Sequence, residues 1–351
     1  MKSFIQLGKY RLGPGYPPFI VAELSGNHNQ SLDRALELVR AAAKAKVQGV
    51  KIQTYTADTM TLDLNEKEFL INDQESLWKG KTLYKLYQEA HTPWDWHKPI
   101  FDLCRELGLV GFSTPFDASA VDFLVKLEVP CFKIASFENI DIPLIRKVAA
   151  AGKPLIISTG MAEIAELDEA IRTARQVGIE DIILLKCTST YPASPENSNI
   201  MTIPHMRELF KVQVGLSDHS LGIGVAVAGV ALGATMIEKH FTLDRSESGV
   251  DAAFSMEPAE MKALVEETTR AWQALGKICY GFTAGEHQAA KFRRSLYIVE
   301  DMKEGEVFTP RNLRAIRPGL GLAPKYYDIF IGKKVSRDVR HGTPLSWDML
   351  C

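Results

Sequence analysis

Two short stretches carry the residue types best suited to chemistry: Gly215-Leu216-Ser217-Asp218-His219-Ser220 and Glu238-Lys239-His240-Phe241-Thr242. Each is an apolar run that stops abruptly in ionisable side chains. A Gly/Ala/Val-rich segment of helical character separates them. The layout predicts two neighbouring parallel strands, each delivering a histidine at its carboxyl end. Two such imidazoles would suit a shared divalent metal such as Mn²⁺, Zn²⁺ or Fe²⁺. The alternative is that each histidine caps its own strand or hydrogen-bonds locally.

The ends of the other β-branched runs extend the set. Glu23, Ser25, Asn27 and His28 close the first run, and Lys51 and Gln53 lie on the second. The third ends in Ser113-Thr114, the fourth supplies Lys133, Ser136 and Glu138, and the fifth gives Ser158-Thr159-Gly160. Lys186 through Tyr191 follow the sixth. A lysine is costly to bury unpaired. Lys51 and Lys133 therefore either pair with Glu23, Glu138 or Glu238 in a structural network, or serve a ligand. Among Ser and Thr hydroxyls and loop N–H groups they would cradle a phosphate and a carboxylate. Any single Ser or Thr there reads as a plain strand cap; only the set has weight. A metal at the histidines would polarise a carbonyl and activate water. Together with a phosphate-bearing acid, that points to carbon–carbon bond formation.

The elements that position these residues follow one rhythm. Strands are expected at 19–24, 50–55, 110–113, 131–135, 155–158, 182–187, 213–216 and 236–241. Amphipathic helices follow at 32–46, 93–107, 118–127, 142–151, 164–177, 223–232 and 258–275, and 203–210 is the weakest helix. Eight alternations with nearly continuous apolar strands indicate an α/β fold, a (β/α)8 TIM barrel. The competitor is a doubly wound open sheet, which lacks support because no Gly-x-Gly-x-x-Gly follows the first strand. Residues 57–91, with Trp78 and several tyrosines, interrupt the rhythm as either an active-site lid or a structural flap. The barrel is expected to span 1–277, with a linker over 278–293. A small β-rich domain over 294–351 would be marginal alone and would pack on a barrel. Within it 295–299 reads as a strand, 309–313 as a short helical start, and 317–321 as a stiff turn.

Composition sets outer limits. The chain has 351 residues, and 41 Lys+Arg against 43 Asp+Glu give a net charge of −2. That balance offers no reason to expect nucleic acid or an anionic membrane as partner. Five scattered cysteines without a Cys-x-x-Cys argue against a disulfide framework or zinc ribbon. Cys131 and Cys187 read as small buried core residues. No signal-peptide apolar region or membrane-length segment is present, so a cytoplasmic protein is expected.

The run Ala22-Glu23-Leu24-Ser25-Gly26-Asn27-His28-Asn29 resembles the sialic acid synthase family. So do Lys51-Ile52-Gln53-Thr54, Ser113-Thr114-Pro115-Phe116, Lys133-Ile134-Ala135-Ser136-Phe137-Glu138 and Ser158-Thr159-Gly160-Met161, the two histidine stretches, and Arg317-Pro318-Gly319. The likeness covers essentially the whole chain, and the tail looks like the family's antifreeze-like (SAF) domain. The resemblance implies metal-dependent condensation of phosphoenolpyruvate with an amino-sugar aldehyde. The products are a nine-carbon 2-keto acid and phosphate, released by C–O cleavage.

Carried onto matching positions, Lys51, Thr114, Lys133, Ser136, Ser158, Ser189 and Ser217 would hold phosphoenolpyruvate. His219 and His240 would bind Mn²⁺ or Mg²⁺. Glu23, Gln53, Tyr191, Asp251 and Arg317 would position the sugar, Arg317 coming from the tail of a second subunit in a domain-swapped homodimer. Glu138 would serve as acid/base, ionising readily beside the lysines, with Glu23 and Lys133 as further catalytic candidates. Neuraminate synthases usually read Glu-Ile-Gly-x-Asn-His-Asn at the first strand and carry Asn where Ser189 stands. Both departures look like the branch that takes 2,4-diacetamido-2,4,6-trideoxy-altrose, with a neuraminate or legionaminate synthase as the alternative. Two rivals lie outside the family: a Schiff-base pyruvate aldolase using Lys186, and a non-enzymatic sugar-binding protein.

Overall fold

The computed structural model describes every residue except Met1, Gln74, Glu75 and Ser248. Residues 1–276 and 277–351 form two compact units. In the first, eight parallel strands close into a barrel: β3 (Phe19–Glu23), β4 (Gly49–Thr54), β5 (Val110–Pro115), β6 (Phe132–Ile134), β7 (Leu155–Ser158), β8 (Ile182–Cys187), β9 (Gln213–Ser217) and β10 (Met236–His240). They follow in sequence order around the barrel, and β10 closes on β3, where His240 lies beside Glu23.

Helices α1 (Leu32–Lys44), α4 (Trp94–Glu106), α5 (Ala118–Lys126), α6 (Ile142–Ala149), α7 (Ile164–Gln176), α8 (Thr202–Phe210), α9 (Gly224–Ala231) and α10 (Pro258–Leu275) surround it. Their starts are legible in side chains that accept orphan backbone N–H groups: Ser31 from Arg34, Asp117 from Ser119 and Ala120, Asp141 from Leu144. The weakly patterned segment is a full helix, α8. Among the described residues no helix is long and apolar enough to cross a membrane.

Side chains alternate between the barrel interior and the outer core, as strand geometry requires. On β10, Met236 packs inside while Ile237 joins the outer core against the helices. Gly215 makes β9 fit its neighbour: a Cβ there would come within 2.4 Å of the Met236 carbonyl oxygen. The interior is apolar at the strands' amino ends and charged at their carboxyl ends.

An N-terminal hairpin, β1 (Ile5–Leu7) with β2 (Tyr10–Leu12), was not foreseen from sequence. Ile5, Leu7 and Leu12 join Phe19, Phe112 and Met236 in one cluster that plugs the amino end. Part of the 57–91 segment forms secondary structure. It carries α2 (Ala57–Met60) and α3 (Leu83–Ala90), with Leu70 bridged to Thr82.

The second unit has its own core, including Leu296, Ile298, Phe308, Leu313 and Phe330. Strand β11 (Ser295–Ile298) pairs antiparallel with β12 (Leu313–Ile316). The helical start expected at 309–313 is instead a turn into β12, closed by Asn312 N–H donating to the Thr309 carbonyl. The remaining β character is a set of isolated bridges such as Met302–Val339 and Val335–Leu350, and a four-residue helix, α11 (Tyr327–Phe330), completes the unit.

Leu7 is fully buried in the plug. Leu7→Ala should lower unfolding free energy by about 3 kcal/mol. Urea denaturation measures this loss, and substrate KM values should stay unchanged because the plug lies at the end opposite the charged layer.

Candidate active site

The carboxyl ends of the strands surround a cavity of about 450 Å³, a size suited to two small substrates. Its floor is a buried charge network. Lys51 Nζ lies 2.7 Å from Glu23 and 3.2 Å from Glu238, and Lys133 Nζ lies 3.1 Å from Glu238. Ser217 Oγ also donates to Glu238 Oε1, at 3.3 Å. Lys133 on β6 reaches Glu238 on β10 from the opposite side of the barrel. Each of these charged side chains is 5% exposed or less.

The lysines' partners are thus Glu23 and Glu238, and Glu238 is a member that sequence reading left outside the functional set. Burial pushes the Glu238 carboxyl up, but Lys133 and Lys51 outweigh it and hold it near 2. Burial lowers Lys51 and Glu23 and Glu238 more than restore it, whereas burial prevails at Lys133 and lowers it. Glu23 is raised by burial, with the charge of Glu238 adding to the effect.

Glu138, on the short turn after β6, is in a different position. Burial raises its carboxyl to about 7, and Lys133 is the weakest influence on it. The expectation that it ionises readily beside the lysines is corrected: the lysines are already engaged by Glu238. Among the described residues Glu138 Oε2 and Ser158 Oγ have no hydrogen-bond partner. Gly160 completes this wall, since a Cβ there would fall 2.6 Å from Ser136 Oγ. Gly160 N–H donates to that hydroxyl at 3.2 Å.

The two histidines face the same space, their ring centroids 5.3 Å apart. His219 Nδ1 donates to the Thr188 carbonyl oxygen at 2.9 Å, and although burial lowers the imidazole, its hydrogen bond with Cys187 and that group's charge raise it. His240 is held well below the usual imidazole range by burial and by His219, and its Nδ1 has no partner among the described residues. A neutral ring with an orphaned buried nitrogen beside a second oriented ring fits a metal site. Tyr191 packs at 4.4 Å from the His219 ring and 5.2 Å from Phe254.

Lys51, Lys133, Ser136, Ser158, Ser217, Gln53, Tyr191, Asp251, Glu138, His219 and His240 all line this cavity. Glu23, Thr114 and Ser189 are not among its lining residues. Glu23 is 1% exposed and covered by its partners Lys51, Gln53 and the Ser25 N–H. Thr114 is fully buried, accepting from Lys51 at 3.4 Å. Ser189 faces Gly160 and Cys187. Arg317 is exposed in the second compact unit.

Cys187 was read as core packing, yet it lines the cavity; His219 outweighs the effect of burial and holds its thiol near 6. Its inward position on β8, alternate to Lys186, was the available signal. Lys186 Nζ donates to the Cys187 carbonyl at 2.9 Å and to Thr188 Oγ1 at 3.3 Å, away from the cavity, which disfavours a Schiff base. The 57–91 segment supplies an apolar wall, including Met60, Ile71, Trp78, Leu83 and Leu86.

Comparison with known proteins matches the NeuB family model over residues 38–280 and the SAF domain model over 293–350. The chain is 44% identical to a pseudaminic acid synthase of Helicobacter pylori, covering 95% of this chain and 97% of that protein. An N,N'-diacetyllegionaminic acid synthase of Legionella pneumophila is 36% identical, with 94% of each chain covered. The crystal structure of an N-acetylneuraminic acid synthetase from Leptospira borgpetersenii superposes with a TM-score of 0.73 at 30% identity, over 83% of this chain and 96% of that one. With the barrel, the charged floor and the paired histidines, these matches establish that the chain belongs to the NeuB family and ends in a SAF domain.

Proposed function

We propose that this chain condenses phosphoenolpyruvate with 2,4-diacetamido-2,4,6-trideoxy-altrose and water, giving pseudaminic acid and phosphate. The observation that carries the reading is a single cavity with two unlike sets of lining residues. The lysines with Ser136, Ser158 and Ser217 make up one set; the apolar side chains of 57–91, with Gln53, Tyr191 and Asp251, make up the other. The first set suits an anion bearing phosphate and carboxylate. The second suits a sugar with two acetamido methyls and a deoxygenated C6, whose apolar surface gains from leaving water. Identity to the pseudaminic acid synthases, at 44% and 42%, exceeds the 36% to the legionaminic acid synthase and favours the same sugar.

In this reading the ammoniums of Lys51 and Lys133 hold the anionic groups of phosphoenolpyruvate, and the unpartnered Ser158 hydroxyl donates to one of them. The phosphoenolpyruvate C3 forms a bond to the sugar's aldehyde carbon, whose oxygen takes up a proton from solvent. The cation left at C2 takes the oxygen of water, and the Glu138 carboxylate, at the wall of the cavity, takes the water's proton. Collapse of the C2 adduct then breaks the C2–O bond to the phosphate, which leaves with the proton of the C2 hydroxyl, and the ketone remains. Gln53 and Asp251 orient the sugar, and Tyr191 closes one side against bulk water.

His219 and His240 would hold a divalent ion that, when bound, supplies Lewis acidity to the sugar carbonyl. Among the described residues no group of three His, Cys, Asp or Glu is placed to hold a metal ion, so the two histidines alone would be its candidate protein ligands. Two imidazoles favour Mn²⁺ over the harder Mg²⁺.

Phosphate release on a panel of amino sugars with phosphoenolpyruvate and Mn²⁺ should be fastest with the diacetamido-altrose. A preference for N-acetylmannosamine would sink the assignment of this sugar. Calorimetric titration of the metal-stripped protein should show Mn²⁺ binding that His240→Ala abolishes; undiminished turnover in excess EDTA would rule the ion out. The pH dependence follows from Glu138. A base must be ionised, so kcat/KM should rise with pH through about 7 and fall away on the acid side. Glu138→Gln should lose about 10²–10⁴ in kcat while still binding phosphoenolpyruvate. An acid limb retained in that variant would assign the titration to another group.

A further inference from the structure

Ser25 holds a backbone conformation that its side chain disfavours. Its φ is 44°, in the left-handed region where glycine is at ease and an L side chain is strained. Most other non-glycine residues with positive φ sit at or just beyond helix ends, as Lys46, Glu128 and Lys211 do. Among the described residues Ser25 is the one of them that lines the cavity. It is 4% exposed. Its bonds come from three separate elements. Ser25 N–H donates to Glu23 Oε1 at 3.0 Å, Ser25 Oγ donates to Asp251 Oδ2, and Gln53 Nε2 donates to Ser25 Oγ at 3.1 Å.

We propose that Ser25 is the positioning residue of the sugar half of the site, its strained backbone aiming one hydroxyl at both Asp251 and Gln53. The proposal rests on the reading of those two residues as sugar contacts. What remains without the hydroxyl is weak. Among the described residues, the Asp251 carboxylate would keep only the Gly26 N–H at 3.3 Å, and the Gln53 amide only Glu23 Oε1 at 3.4 Å. Asp251 belongs to the loop after β10, and Gln53 lies two strands away on β4. The Ser25 bridge therefore sets their separation across the seam where the barrel closes. A glycine at position 25 would adopt the same turn without strain. The serine is explained by its hydroxyl and not by its backbone.

The test uses two variants of the full-length enzyme that lose the hydroxyl but differ in strain. Ser25→Ala keeps the disfavoured φ, whereas Ser25→Gly removes it, so S25G should melt at the higher temperature. Both should raise the KM for the amino sugar about tenfold, the scale of one lost hydrogen bond to a charged group, with the KM for phosphoenolpyruvate within about twofold of wild type. A normal sugar KM in S25G, a sugar KM that tracks melting temperature between the variants, or equal rises for both substrates would each overturn the proposal. Asp251→Asn reports on the reading beneath it. A normal sugar KM in D251N removes Asp251 from the sugar site and the proposal with it. A raised KM in D251N beside a normal one in S25G overturns the role of Ser25 alone. Were N-acetylmannosamine the preferred sugar, the same comparison on that sugar would decide the point.

Discussion

The structure turns on the decision to bury charge at the mouth of the barrel. Glu23, Lys51, Glu238 and Lys133 are all but sealed from solvent, and removing one member of such a network typically costs about 3–5 kcal/mol because a partner is left bare. The network also sets what can bind above it. Two lysines against two ionised glutamates would present no net charge to an anion. Burial and the neighbouring Glu238 both push Glu23 toward its neutral form.

The barrel places that network through alternation along its strands. Residues 236, 238 and 240 on β10 face the interior, so one strand supplies an apolar layer, the carboxylate that holds the lysines, and a histidine. The residues between them face outward and do different work. Lys239 is 1% exposed, lies 2.8 Å from Asp218, and donates to the Ser220 and Gly222 carbonyls at 2.6 and 3.0 Å. That outer pair ties the turn after β9 to β10. Since His219 and His240 adjoin Asp218 and Lys239, it also holds the two imidazoles in register.

How much of this was legible followed physical lines. Strands buried on both faces read as β-branched runs, so the eight barrel strands lay within two residues of their expected bounds. The hairpin at residues 5–12 was missed because three-residue strands around Gly8 have no periodicity to detect. The convergence of strand-end residues on one cavity was readable from topology, because every parallel strand of a closed barrel ends on the same face. The partner of each lysine was not readable. Lys133 reaches Glu238 across the barrel interior, and that choice depends on register and tilt of strands far apart in sequence. Cys187 is buried, as its residue type implied, but the type alone does not show that its inward position meets a histidine.

Two glutamates near the same lysines end in opposite states, and the difference assigns their work. Glu238 accepts from Lys51, Lys133 and Ser217 at once, so its charge is compensated and it stays ionised near 2. Such a group is too weak a base to take a proton near neutrality. Glu138 stands on a turn where burial meets little compensation, and its carboxyl rises to about 7. A base works best when its pKa lies near the working pH. Environments that separate two like groups in this way mark which one holds charge and which one moves protons. Glu238 is therefore the fixed counter-ion of the floor, and Glu138, which lines the cavity, is the group the proposed reaction uses to take a proton from water.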